Sequence, residues 1–223
     1  MQHAPYPDFL RRRLVLGAGL LLGLGAAGPA PARPGVIVTI LGDSITAGYG
    51  LPRAQAMPAQ LQRLLDARGA RVRVRAAGVS GDTTAAGLAR VGFSVQDDTA
   101  VCLVALGGND LLRGVSPTVT RRNLAQIVDS LKARRIKVVL AGLRPPPSAG
   151  LGLAREFQAA FREVAQSRGV TLVPDMLAGV AGVRGLNQPD GIHPNARGAL
   201  RVAENLAPAI IQAVGARTSS AAG

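Results

Sequence analysis

With 223 residues, 48% hydrophobic and 17% charged, the chain is long and apolar enough to bury one sizeable core, which excludes a disordered protein. A net charge of +13 would suit nucleic acid, but aromatic residues make up only 3% of the chain and the arginines are scattered, so there is no stacking platform for bases and at most weak contact with an anionic lipid surface is expected. One cysteine excludes an intramolecular disulfide, and with two histidines it leaves no ordinary zinc ligand set, so neither a metal nor a cofactor is expected.

In chain order, residues 1–32 read as an export signal. A basic patch, Arg11-Arg12-Arg13, precedes an apolar run from Leu14 to Gly28 and the small-residue segment Pro29-Ala30-Pro31-Ala32. The run is shorter than the roughly 20 residues that span a bilayer, so cleavage after Ala32 and a periplasmic or secreted product are expected. Both general and twin-arginine export fit, and the absence of cysteine near the cleavage point argues against a lipid anchor. Gly23-Leu24-Gly25-Ala26-Ala27-Gly28 matches the dinucleotide-binding pattern, but it lies within the signal core and Pro29 follows it, so the match carries no nucleotide site.

Residues 33–217 are expected to form one domain, with 218–223 a disordered polar tail. Strand-like apolar runs occur at Val36 to Leu41, Val72 to Ala76, Ala100 to Leu106, Ile136 to Ala141 and Val170 to Val173. Helical patterns alternate with them. Pro58 stands early in a helix that stops near Gly69, Ser116-Pro117 opens another, Gly169 closes a third and Pro194 opens the last. Five strands alternating with helices imply an α/β fold, a five-stranded parallel sheet covered on both faces. Cys102, inside the third run, reads as a small core residue.

In such a sheet, ligands bind at the carboxyl ends of the strands. Asp43-Ser44 follows the first strand, Gly78 to Thr83 the second, and Gly107-Gly108-Asn109-Asp110 the third. Asp190 to His193 lies past the fifth. A serine at a strand-to-helix turn exposes its hydroxyl. His193, the only histidine after residue 32, can take its proton while Asp190 fixes the tautomer. Pro194 disfavours helical geometry at His193 and keeps it in the loop. Glycine-loop amides and the Asn109 side chain can supply donors for an oxyanion. Each segment alone could be an ordinary turn or cap; their order, each at the end of a separate strand, argues for a site.

These residues resemble the SGNH-type (GDSL) hydrolases, and among them the exported bacterial thioesterase, arylesterase and lysophospholipase subgroup. The likeness runs from about Val36 to Ala213. It rests on Leu41 to Tyr49, on Ser80-Gly81-Asp82-Thr83-Thr84 with Gly87 to Arg90 behind it, on Leu106 to Asp110 with Leu112-Arg113-Gly114 behind it, and on Asp190 to Asn195. It implies a three-layer α/β/α, flavodoxin-like fold and hydrolysis of short to medium acyl esters or thioesters through an acyl-serine. Ser44 would be the nucleophile, Asp190 and His193 its partners, and the Ser44 and Gly81 N–H groups with the Asn109 amide the oxyanion hole. Two features depart from the subgroup: Ala76 stands where asparagine is frequent, and Pro146-Pro147-Ser148-Ala149-Gly150 replaces a Pro-x-Asn-Tyr-Gly loop, which alters the acyl pocket. The alternatives are a carbohydrate O-deacetylase on the same fold and a catalytically silent envelope-binding protein.

Overall fold

Strands β1 (Val36–Gly42), β2 (Val72–Gly78), β3 (Val101–Ala105), β4 (Lys137–Ala141) and β5 (Thr171–Val173) are the five apolar runs of the sequence. The computed structural model describes residues 35–220, so the expected export signal and the last three residues of the tail lie outside the described residues. The strands form one sheet in the order β2-β1-β3-β4-β5, with every neighbouring pair parallel. The pairing of β1 with β2 runs on to Gly42 and Gly78, beyond the apolar runs, because a ladder needs backbone groups and not side chains.

The helices are α1 (Ser44–Ala47), α2 (Met57–Ala67), α3 (Thr84–Ser94), α4 (Gly108–Leu112), α5 (Pro117–Ala133), α6 (Leu151–Arg168) and α7 (Ala196–Ser220). Pro58 lies in the first turn of α2, Ser116 caps α5 by accepting from the Val119 N–H, and α6 ends at left-handed Gly169. The last helix differs from expectation at both ends. It starts after Asn195, whose side chain accepts from the N–H groups of Arg197 and Gly198, so Pro194 precedes the cap. It continues to Ser220, so residues 218–220 are helical where a disordered tail was expected. Each residue added to a packed helix gains a hydrogen bond without a new nucleation step.

Helices α2 and α7 pack together, as do α3 with α5 and α5 with α6, giving a helical layer on each face of the sheet. Central strand β3 is buried along its whole length. Phe157 and Phe161 of α6, 5.7 Å apart, are fully buried at its carboxyl end. The chain leaves β3 through Gly107 at φ +117°, where a Cβ would sit 2.9 Å from the Phe161 ring, so the turn into α4 rests directly on that ring.

The carboxyl end of β2 packs just as closely on α1. A Cβ on Gly78 would lie 2.4 Å from the Ala47 nitrogen and 2.7 Å from the Thr46 carbonyl carbon, backbone atoms that cannot swing aside. Gly78→Ala is therefore expected to lower stability by about 3 kcal/mol, the upper range for overpacking, and to push α1 off the sheet. Urea unfolding checks this; an unchanged midpoint would mean that α1 rides freely on β2.

Candidate active site

Ser44 is the first residue of α1, immediately after β1. Asp43 caps the helix, its Oδ1 accepting from the Ile45 N–H at 3.0 Å, and left-handed Gly48 ends it after one turn. As the first helical residue, Ser44 has an N–H with no intrahelical acceptor. His193 comes from the far end of the chain, in the loop before α7. Its Nε2 is 2.9 Å from Ser44 Oγ and its Nδ1 is 2.6 Å from Asp190 Oδ2. The other oxygen of Asp190 accepts from the N–H groups of Ile192 and His193, at 2.9 and 3.0 Å. With the imidazole and two amides donating to it, Asp190 titrates at about 2 and stays ionised at any working pH. The structure thus brings Ser44, His193 and Asp190 into one hydrogen-bonded line.

The oxyanion candidates lie on two further loops. Asn109, in the first turn of α4, donates through Nδ2 to the Asp82 carbonyl at 3.0 Å, which uses one of its two amide hydrogens and leaves the other for a ligand. Gly81, next to Asp82, has its carbonyl held by Arg113 Nη2 at 2.8 Å. Asn109 and Ser44 line one cleft of about 580 Å³ together with His193. Its walls are apolar, with Leu111, Leu143, Pro146, Met176 and Ile192 among them. Pro146 and Pro147 of the divergent segment, with Pro145 before them, therefore form part of the wall of the cleft.

Four supporting residues escaped the sequence reading. Arg90 donates to Asp82 Oδ2 at 2.6 Å, to the Ala77 carbonyl at 3.0 Å and to the Gly42 carbonyl at 2.8 Å, pinning the Gly81 loop to the ends of β1 and β2. Asp110 is wholly buried and accepts from the N–H and hydroxyl of Thr84 and from the Thr120 hydroxyl, so a carboxylate without a cation fastens α4 to α3. Gln188 donates to the Tyr49 and Pro194 carbonyls, while its own N–H donates to the His193 carbonyl at 2.7 Å. The Tyr49 ring lies 4.5 Å from the imidazole. Arg90, Asp110 and Tyr49 stand inside the recognised blocks, which is a signal that they matter without saying how. For Gln188 only the fold reveals a partner.

Cys102 is fully buried in β3 and its thiol is pushed up to about 12 by burial, which leaves it inert as a nucleophile.

Fold and site together define an α/β serine hydrolase. More narrowly, the chain belongs to the GDSL-like lipase/acylhydrolase family, whose profile matches residues 40–201. It is similar to esterase TesA of Pseudomonas aeruginosa, with 40% identity over 172 residues covering 77% of this chain and 86% of the relative. It is also similar to thioesterase 1/protease 1/lysophospholipase L1 of Escherichia coli K12, with 38% identity over 157 residues covering 70% and 74% of the two chains. A crystal structure of TesA matches with a TM-score of 0.76 at 38% identity, covering 79% of this chain and 99% of that one.

Asp43 is the electrostatic outlier. Burial pushes its carboxyl up to about 6, against the opposing pull of the Ile45 N–H and of His193. The folded state holds this proton more tightly than the unfolded chain, so the contribution to stability is full below about pH 4 and is lost as pH rises through about 6. Asparagine keeps the capping oxygen but not the charge. Relative to the parent, Asp43→Asn is expected to gain up to about 3 kcal/mol of stability between pH 4 and pH 8. Denaturant titrations at both pH values read the difference; a gap that does not change with pH would mean the carboxylate is well solvated.

Proposed function

We propose that the protein hydrolyses short to medium acyl esters or thioesters with Ser44 as nucleophile, His193 as general base and Asp190 as the group that orients the ring. The observation that carries this reading is the unbroken line from Ser44 Oγ through both imidazole nitrogens to Asp190. His193 Nε2 accepts the serine proton as Oγ attacks the acyl carbon, and the imidazolium that forms is stabilised by Asp190. Negative charge on the former carbonyl oxygen is met by the Ser44 and Gly81 N–H groups and the free amide hydrogen of Asn109. The same imidazolium then protonates the leaving alkoxide or thiolate. Water, activated by the neutral ring, releases the acid from Ser44. No step calls for a metal or cofactor.

The apolar cleft beside Ser44 favours an acyl chain over a sugar, which sets this reading above the O-deacetylase one. The names of the two relatives, an esterase and a thioesterase/lysophospholipase, support ester and thioester substrates. We further propose that residues 1–32 direct export and are removed after Ala32, so that residues 33–217 act in the periplasm or outside the cell. N-terminal sequencing of protein recovered from the envelope and medium should then begin at Arg33; intact Met1 in a cytoplasmic fraction would overturn this.

Hydrolysis of p-nitrophenyl acetate, butyrate and octanoate tests the chemistry. Ser44→Ala and His193→Ala should each remove nearly all turnover with the fold intact, because the two act as a unit. Asn109→Ala should lower kcat by roughly 10² to 10³, the loss typical of one oxyanion donor. Robust turnover by Ser44→Ala would refute the assignment, and a drop under about threefold for Asn109→Ala would place that amide outside the oxyanion hole.

A further inference from the structure

The large apolar side chains that stay exposed are unevenly distributed. Tyr49, Val79, Leu112, Leu151, Val183 and Ile192 are all exposed, Leu151 to 75% and Leu112 to 61%. They belong to the segments that leave the carboxyl ends of β1, β2, β3, β4 and β5 in turn, so every strand contributes at least one to the edge that holds the cleft. Exposed apolar residues scattered at random need no explanation, but these rim one opening; Phe93, 90% exposed near the end of α3, is the exception at the opposite edge.

Both edges carry exposed basic residues, Arg68, Arg71, Arg73, Lys132 and Arg135 among them at the edge of the strands' amino ends, so what marks the cleft edge is the combination of basic with apolar side chains. Arg53, Arg113, Arg144 and Arg184 are exposed on the segments of the cleft edge, as is Arg197 in the first turn of α7. Most carboxylates of this edge are engaged. Asp43 caps α1, Asp82 pairs with Arg90, Asp110 is buried and Asp190 faces His193. Asp175, also on this edge, lies 4.0 Å from Arg144, while Asp97, Asp98 and Asp129 at the other edge pair with Arg134, Arg75 and Arg168.

We propose that this edge docks on an anionic phospholipid surface, with the mouth of the cleft turned toward it. The inference rests on the acylhydrolase reading and adds the surface on which that chemistry takes place. Large apolar side chains carried singly on separate loops suit shallow insertion among acyl chains, and arginine forks suit lipid phosphates. Acyl chains could then pass from the lipid into the apolar cleft without crossing water.

The test uses PC vesicles and vesicles of seven parts PC to three parts PG, with co-sedimentation at low salt. The parent is compared with Leu151→Asp/Val183→Asp/Arg184→Glu, none of which lines the cleft. All proteins carry the same residues 1–34, so that segment contributes equally. The parent should bind PG-containing vesicles at least about tenfold more tightly than PC alone, since each basic residue near an anionic surface contributes about fivefold. The triple variant should lose about tenfold or more of this binding while its turnover of soluble p-nitrophenyl butyrate stays within about twofold. That turnover also reports folding; should the triple variant fail to fold, Arg184→Glu alone should still lose about fivefold or more.

Binding that ignores PG, or that the variants leave unchanged, would overturn the proposal. So would a dimer formed without lipid and dissociated by the triple variant, which would assign the face to a second copy of the chain. Loss of soluble esterase turnover in the parent would strike the acylhydrolase reading instead and is read separately from the vesicles.

Discussion

Parallel pairing sends the carboxyl end of every strand to one edge of the sheet, and the rest of the molecule is arranged around that constraint. Loops that are remote in sequence converge there, but convergence alone leaves them loose. Arg90 converts it into a fixed geometry by bonding to the end of β1, the end of β2 and the Gly81 loop with a single planar group. Lysine could not do this, because a point charge on a flexible stem does not hold several acceptors in fixed directions. Gln188 performs the corresponding task between the Tyr49 turn and the His193 loop. Donors held by such supports need not reorganise when charge develops on a substrate, which is the condition under which oxyanion stabilisation is strongest.

Three aspartates within this edge show how surroundings divide one side chain into different roles. Asp190 is open to water and receives three donors, so it remains charged. Asp110 has no water but has three protein donors in its place. Asp43 is buried and accepts from the Ile45 N–H, and burial drives it toward the neutral form. Between Asp190 and Asp43, donors in the open favour the charged form and burial favours the neutral one.

The fold was legible because the five apolar runs are short, buried and bounded by glycine and proline, and alternation with helices admits few sheet arrangements. That Ser44, His193 and Asp190 would meet was legible because their two segments lie past strand ends and the region after residue 32 has a single imidazole. Arg90 and Gln188 were not, since their function lies in carbonyl oxygens that any sequence possesses, and nothing in a sequence says which carbonyl will be near. The start of α7 was misplaced by two residues for a similar reason. Proline announces a boundary, but Asn195 is the group whose geometry sets it.

The Ser44 to His193 contact closes a loop of 149 residues. A chain emerging amino end first can build β1, β2 and β3 early, yet Ser44 lacks its imidazole partner until the segment before α7 has arrived and docked. On the proposed mechanism, hydrolytic competence therefore waits for a closure between segments far apart in the chain. On the export proposed above, the chain would stay inert until that closure is made.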